Sequence, residues 1–404
     1  MPSKERLPRS RRPLAPVKPK MRILHVVPTY FPAVRYGGPI HSVHGLCAAL
    51  AARGHDVNVF TTNVDGPGDS AVPLGSPVEM DGAKIWYFPS RHLRRLYWSP
   101  AMARALAPQV GSFDLVHLHS VFLWPTWAAA RAARAAGVPY VLSPRGMLVR
   151  ELFESRSGFA KNLWMALAER RNIALAAGIH VTSAVEAREF QRFGLRSDAR
   201  VFEVPNGVEV TPSPERSGAP PPAYVLMLGR ISWKKRIEMA LEALQHIDGI
   251  RLVVAGGDDE GLTGALRDRA VALGVADRTE FAGLVEGDRK ARLLRDATAL
   301  LMPSVSENFG NSVIEALAVG TPAIVTPEVG AAELLATSGG GFVVAASARA
   351  IADAIQALVD DPGLRARMGQ CGLKAVEGGY SWPAVGARME AQYHEILNGS
   401  PRRT

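Results

Sequence analysis

The sequence predicts an α/β protein of two doubly wound domains facing each other across a cleft. Three observations carry this expectation. The chain has 404 residues, more than one hydrophobic core usually organises. Short apolar runs alternate with helical patterns, as parallel-sheet units do, and the alternation starts twice. Between the two series, residues 211–222 read Thr-Pro-Ser-Pro-Glu-Arg-Ser-Gly-Ala-Pro-Pro-Pro, a linker composition. The predicted plan is a disordered basic tail over 1–20, a first domain over 21–210, the linker over 211–222, a second domain over 223–380 and a last helix over 381–398.

The first series opens with the apolar run Met21 to Val27, fit for a buried parallel strand. A turn-like stretch containing Gly37-Gly38 leads to a helix over about 40–52, closed by Gly54. Its apolar residues Val43, Leu46, Cys47 and Leu50 share one face. Strands follow at 56–60, 84–88, 115–118, 140–142, 178–181 and 201–204, with Ala-rich helices over about 126–136 and 160–176. After the linker, strands are predicted at 224–228, 251–255, 279–281, 299–302 and 323–325. The helices between them cover 237–244, 262–273, a segment including 291–295, and 311–319. The last helix, about 383–397, places Val385, Met389, Tyr393, Ile396 and Leu397 on one face. In open parallel sheets ligands bind outside the carboxyl ends of the strands, so the loops after strands are where chemistry is expected.

Composition narrows the class. Apolar residues make up 47% and charged residues 21%, an ordinary globular mix. The only cysteines, Cys47 and Cys371, cannot build a disulfide framework or a Cys-rich metal site, which fits a reducing cytosol. No apolar run approaches the roughly 18–20 residues of a spanning helix, and the basic N-terminus lacks the apolar stretch of a secretory signal. A cytoplasmic, soluble protein is expected. The net charge is +9, but residues 1–20 hold seven Lys and Arg against one acid and so supply most of it. The plainer reading of that tail is a solvated extension; the functional one is a weak peripheral anchor for an anionic membrane. No nucleic-acid-binding module is recognisable.

The richest segment runs from Pro303 to Pro322. A strand enters from Leu300-Leu301-Met302, the loop carries Glu307 and Phe309-Gly310, a helix opens near Asn311, and Gly320 with Pro322 closes it. Free N–H groups at such a helix start suit a diphosphate. Glu307 and Glu315 beside it suit sugar or ribose hydroxyls, because ionised carboxylates only accept hydrogen bonds. On residues alone, the plainer reading stands beside this one: a surface acid and a Glu favouring the helix dipole. Elsewhere, Arg230 and Lys235 follow a strand as two fixed cations. His117 and His119 share one face of the strand ending Leu115 to His119. Two such histidines match metal-ligand spacing, but the sequence shows no third ligand, so no metal site is expected.

Glu307 and Glu315, with seven residues between them that include Phe309-Gly310, and Ala316, Ala318, Gly320 and Pro322 after, resemble the signature of the family-four retaining glycosyltransferases. The resemblance implies the GT-B fold, two Rossmann-like domains with a nucleotide-sugar donor in the cleft. Gly229-Arg230 with Lys235 resembles the family's Gly-Arg…Lys element. Here the sequence departs from the pattern: Arg236 stands where Gly commonly follows the lysine, and Trp233 is bulky for that loop. Lys234 therefore competes with Lys235 as the phosphate contact, Lys235 being favoured. Gly37-Gly38 resembles the family's N-terminal Gly-Gly loop. His119 falls where a cleft histidine touches the donor sugar, while His117 reads as packing. Gly283-Leu284-Val285 resembles the segment passing the nucleobase. Thr182-Ser183 with Glu186, and Asn206-Gly207, match further landmarks. Ser143 to Leu148 resembles a motif of the bacterial polysaccharide branch, which puts Arg145 on the acceptor side. In this fold the last helix typically crosses back to the first domain.

The resemblance thus implies a metal-independent hexosyltransferase with no cofactor beyond its nucleotide-diphosphate sugar substrate. His119, Glu307, Arg230 and Lys235 are expected in catalysis. Gly37, Gly38, Asn206, Val285, Phe309, Gly310, Asn311 and Glu315 are expected to bind the donor. The acceptor is expected to be a glycan or a lipid-linked sugar in cell-surface polysaccharide synthesis. The run Arg91 to Trp98 mixes cations with aromatics, as a membrane-facing surface does; the plainer reading is a solvated helix with snorkelling arginines. Two rival classes remain: an epimerase or phosphorylase on the same fold, and a non-catalytic nucleotide-sugar binder. The intact set Arg230, Lys235, Glu307 and Glu315 favours transfer.

Overall fold

A computed structural model of the chain describes residues 19–34, 37–148, 164–194, 199–210 and 223–399, with backbone alone at 166 and 167. The basic tail up to residue 18, the linker over 211–222 and the first part of the helix expected over 160–176 lie outside the described residues.

The first sheet uses β1 (Arg22–Val26), β2 (Asp56–Thr62), β5 (Val78–Met80), β6 (Ala83–Phe88), β7 (Leu115–His119), β8 (Tyr140–Ser143), β9 (Gly178–Val181) and β10 (Arg200–Glu203). A small hairpin, β3 (Val64–Asp65) and β4 (Gly68–Asp69), stands apart from it. The helices of this half are α1 (Gly38–Ala52), α2 (Pro100–Gln109), α3 (Trp124–Ala135), α4 (Arg170–Ala174), which continues a π-helical turn over Met165–Glu169, and α5 (Ala184–Arg192). The strand order is β10-β9-β8-β7-β1-β2-β6-β5, parallel except for the edge pair β5–β6. β1 from Ile23 to Val26 and β7 throughout are buried on both faces, although each carries histidine among its apolar residues. One face packs Leu24, Val26, Val116 and Leu118 against α2 and α3. The other packs Ile23, Leu115 and Val141 against Val43, Leu46 and Leu50 of α1.

The second sheet uses β11 (Tyr224–Leu228), β12 (Arg251–Ala255), β13 (Thr279–Gly283), β14 (Ala299–Met302), β15 (Ala323–Val325) and β16 (Gly341–Val343), in the order β13-β12-β11-β14-β15-β16, all parallel. Its helices are α6 (Ile237–Leu244), α7 (Thr263–Ala272), α8 (Gly287–Asp296), α9 (Asn311–Ala318), α10 (Ala332–Ser338), α11 (Ala348–Asp360) and α12 (Pro362–Gly379). In each sheet the chain winds outward from its first strand, then returns and winds the other way. The order therefore reverses between β1 and β7, and again between β11 and β14. Such reversals open a crevice at the carboxyl ends of the strands, where ligands bind in this architecture. The two parallel sheets are the arrangement that the GT-B resemblance implies.

The last helix, α13 (Trp382–Gly399), packs on the first sheet although it follows the second in sequence. The crossing is made where Val208 N–H donates to the Tyr380 carbonyl at 2.9 Å. Met389, Tyr393 and Ile396 then enter the core shared with α1. Two glycines make room for the first residue of the helix: a Cβ at Gly45 or Gly207 would lie 2.1 or 2.4 Å from the Trp382 ring. Glu390, buried on the same helix, pairs with Arg53. Among the described residues no helix is long and apolar enough to cross a membrane.

Candidate functional site

Both reversal points deliver a helix start to one place. α1 follows β1 and begins after Gly37, whose φ of 72° no bulkier residue adopts easily. α9 follows β14 and begins after Gly310, with φ 91°. The two starts touch: a Cβ on Gly38 would be 2.8 Å from Asn311 Nδ2. Neither helix has a capping side chain or an acid in its first turn. Pro39 has no N–H, and Ile40 and Val313 donate back to the carbonyls of Gly37 and Gly310 at 3.2 and 2.8 Å, so the positive ends of the two helices converge with the N–H groups of Gly38, Asn311 and Ser312 left for a ligand.

Beside them, the loop after β11 supplies cations. Met227, Leu228, Gly229, Arg230, Lys235 and Met302 line a recess there. Lys235 Nζ donates to Glu307 Oε2 at 2.5 Å. Of the two competing lysines, only Lys235 points into this recess; the Lys234 ammonium lies 5.8 Å over the exposed Trp233 ring. Arg236, where the family pattern has Gly, takes φ 49° and ψ 48°, the left-handed region that glycine favours. Arg230 is exposed, 3.9 Å from Asp259. Glu315 accepts from Lys290 at 2.9 Å. Glu307 is held by backbone on both sides: its N–H donates to the Glu328 carbonyl at 3.2 Å, and its carbonyl accepts from Gly330 at 2.8 Å. That contact needs a glycine, since a Cβ at 330 would overlap the Asn308 carbonyl at 2.0 Å.

The first domain supplies a buried polar stripe on one sheet face. The register pairs His25 with His117, and His119 with Ser143. His117 bonds Tyr393 Oη at 2.6 Å and Ser143 Oγ at 2.7 Å. Ser143 Oγ also meets His180 Nδ1 at 2.6 Å, and His180 Nε2 meets the Val204 carbonyl at 2.8 Å. His119 Nε2 lies 2.9 Å from His25 Nδ1. Burial, reinforced by the nearby Arg145 guanidinium, pushes His25 and His180 down to about 3 and holds His119 well below its ordinary range. His117 is pushed well below as well, by burial first and then by the neighbouring His119. All four rings are neutral at pH 7.

His25 corrects one expectation. It is the third ring that the sequence did not offer, and His25, His117 and His119 bring nitrogens within 4.8 Å of one another. The donor set nevertheless fits a cation poorly. The His117 nitrogens serve Tyr393 and Ser143, no carboxylate among the described residues joins the trio, and Arg145 stands 3.3 Å from His119.

Arg145, with φ 55°, reaches His119 Nδ1 at 3.3 Å and Asn206 Oδ1 at 2.8 Å. Asn206 Nδ2 donates onward to Asn311 Oδ1 at 2.9 Å, crossing to the second domain. A second crossing runs from Ser183 Oγ to the Asn308 carbonyl at 2.5 Å. The Asn308 side chain also covers Gly146, where a Cβ would be 2.5 Å away.

The remaining expected residues divide. His119 is buried, 1% exposed, and forms floor rather than open wall. Phe309 is core, its ring stacked on Tyr380 at 6.1 Å, so only its backbone faces the helix start. Val285 is buried in the loop after β13 beside the exposed Leu284. The run Arg91 to Trp98 is not a helix: only Arg94–Leu96 form a 3-10 turn, flanked by left-handed Leu93 and Tyr97. Arg94 there is tied to Asp69 at 2.5 Å and to the Ser90 carbonyl at 3.1 Å. Sequence reasoning missed His25, His180, Asn308, Lys290 and Gly330. Alternation along a strand marks which residues share a face, but the pairing register that joins His25 to His117 is not written in either strand.

Known proteins resemble this chain over most of its length. The family described as "Glycosyl transferases group 1" matches residues 212–375, and the "Glycosyl transferase 4-like domain" matches 37–207. A phosphatidyl-myo-inositol mannosyltransferase of Mycobacterium leprae is 29% identical over 402 residues, covering 95% of this chain and 99% of that one. A GDP-mannose:cellobiosyl-diphosphopolyprenol alpha-mannosyltransferase of Xanthomonas campestris is 26% identical over 388 residues, covering 95% and 98%. Among solved structures, sucrose-phosphate synthase from Thermosynechococcus elongatus superposes with a TM-score of 0.73 at 22% identity, covering 94% of this chain and all of that one (100%). HepE of Anabaena, solved with UDP-glucose, gives 0.71 at 17% identity, covering 93% and 100%. These structures share the GT-B fold with this chain.

Proposed function

The chain belongs to the group 1 glycosyl transferases and is a glycosyltransferase; from that premise we propose that it is a retaining, metal-independent hexosyltransferase acting on a nucleotide-diphosphate sugar. The observation that carries the reading is the convergence of two uncapped helix starts, α1 and α9, beside Lys235. A diphosphate is the ligand such a place suits. Arg230 and Lys235 hold it and stabilise the negative charge that grows as the bond to the sugar breaks. Positive charge thus comes from side chains and helix ends, and no cation is required.

Glu315 accepts from the ribose hydroxyls. Glu307 and the backbone of Phe309, Gly310 and Asn311 orient the sugar above the His119 floor. Gly37 and Gly38 let backbone approach the phosphates, and the segment at Val285 passes the nucleobase. The acceptor hydroxyl attacks from the face on which the diphosphate leaves, its proton passing to the leaving phosphate, and configuration is retained. Closure of the domains excludes water, which would otherwise hydrolyse the donor. The UDP-glucose held by HepE supports a nucleotide-sugar donor. The lipid-linked acceptors named for the Mycobacterium and Xanthomonas relatives support a lipid-linked acceptor here, met at the inner face of the cell membrane in cell-surface polysaccharide synthesis.

The test is nucleotide release from uridine, guanosine and adenosine diphosphate sugars, with membrane extract as acceptor and EDTA present. Release with one donor, with the product's anomeric configuration unchanged, is expected. Activity lost in EDTA and restored by a divalent ion would contradict metal independence, and sugar interconversion without acceptor would point to an epimerase.

A further inference from the structure

We propose that Arg145 is a positioning residue that fixes the tautomer of His119 and ties that ring to the second domain through Asn206; the catalytic part of this rests on the transfer reading above. An arginine guanidinium has donors and no acceptor. Nη2 stands 3.3 Å from His119 Nδ1, so that nitrogen is the acceptor and carries no proton. A neutral His119 then holds its proton on Nε2, which donates to His25 Nδ1 at 2.9 Å. His25 in turn must hold its proton on Nε2, a buried atom with no hydrogen-bond partner among the described residues.

The other arm runs the same way. Nη1 donates to Asn206 Oδ1 at 2.8 Å, which fixes the orientation of that amide. Its Nδ2 therefore faces Asn311 Oδ1 at 2.9 Å, and the Asn311 amide nitrogen is turned toward Gly38. One donor-only group thus sets the polarity of a chain from the sheet of the first domain to the start of α9. The chain is complete only when α9 is seated against α1.

Ser42 Oγ on α1 takes a further, longer contact from Nη1, at 3.4 Å. Among the described residues no carboxylate pairs with Arg145. Glu186, on α5, spends Oε1 on Gly146 N at 2.8 Å and Oε2 on Thr182 N at 2.7 Å and Thr182 Oγ1 at 2.8 Å. Tyr393 on α13 and Cys47 on α1 face the guanidinium, but burial pushes both well toward their neutral forms, Cys47 to about 12. The groups facing His119 are Arg145, His25 on β1, His180 on β9 and His117 on its own strand.

The experiment needs no variant for its first part. The protein is labelled with 15N at histidine, and long-range proton–nitrogen correlations read each ring's tautomer at pH 7, with His119→Asn and His25→Asn assigning the signals. Protonated Nε2 and bare Nδ1 are expected at both rings. A proton on His119 Nδ1 in the unaltered protein overturns the proposal, and this result stands even if the variants fold poorly. In Arg145→Gln, loss of the fixed His119 tautomer is expected. Transfer should fall by ~30-fold or more in kcat, with nucleoside diphosphate affinity changed by less than about threefold, because the groups proposed to hold the diphosphate are untouched. Arg145→Lys, able to serve only one arm, should fall between the two. An unchanged kcat in Arg145→Gln overturns the positioning role. Absence of turnover with every donor would sink the transfer reading, and the tautomer measurement would then decide the Arg145 contact by itself.

Discussion

Lys235 and Glu307 form an ion pair, Nζ to Oε2 at 2.5 Å, from the first loop of the second domain to the loop before α9. The cation assigned to the phosphate and the acid assigned to the sugar therefore neutralise each other. A bound donor has to draw them apart, so each residue has a role in binding that the other restrains.

Lys235→Ala and Glu307→Ala are each expected to reduce kcat/KM by ~100-fold or more, the usual loss when a charge-stabilising group is removed. Folding should survive, because a pair of this exposure contributes only about 1 kcal/mol. Initial rates and thermal melting of the two variants check this; wild-type rates in both would refute the site.

Arg236→Gly should not lower the melting temperature. A left-handed non-glycine residue is strained, and here its Nη1 is also buried without a partner among the described residues. Arg236→Val should destabilise by about 1–2 kcal/mol, because a branched Cβ clashes in that conformation. Paired thermal melts separate the two.

Gly45→Ala tests how the last helix docks. The new methyl group would sit 2.1 Å from the Trp382 ring, so the ring must move. A loss of about 1–3 kcal/mol is expected from this overpacking, and urea titration measures it. An unchanged midpoint would mean that Trp382 does not hold α13 there.

Stability should fall steeply below pH 6.5. His25, His117, His119 and His180 all have folded-state values far below the ordinary 6.5. The unfolded chain therefore binds more protons as pH falls through 6.5, and stability present above that pH is lost below it. Between pH 6.5 and 5.5 each ring removes about 1 kcal/mol, on the order of 4 kcal/mol together. Urea midpoints at pH 7.5, 6.5 and 5.5 give the slope; a flat profile would contradict four buried neutral rings.

Much of this was legible in the sequence, for physical reasons. Apolar runs such as Tyr224–Leu228 and Ala299–Met302 are strands because both faces are buried. The segment from Glu307 to Pro322 carries its own punctuation, with Gly310 opening a helix and Gly320 closing it. Other elements carry no expectation although several have their own signals: α2, α5, α11 and α12 open on Ser99, Ser183, Ser347 and Asp361, each accepting from a first-turn N–H, while α10 and the edge strand β16 are too short for a clear pattern. Pairings were hidden for a different reason. The Tyr393 contact with His117 joins residues far apart in sequence, and the inward turn of Arg145 depends on a left-handed backbone that no arginine announces.

The most direct measurement is a crystal structure with a nucleoside diphosphate bound. The account predicts the phosphates between Gly38 and Asn311, with Lys235 Nζ released from Glu307 and within ~3 Å of a phosphate oxygen. Phosphates bound elsewhere, with Lys235 and Glu307 still paired, would contradict it.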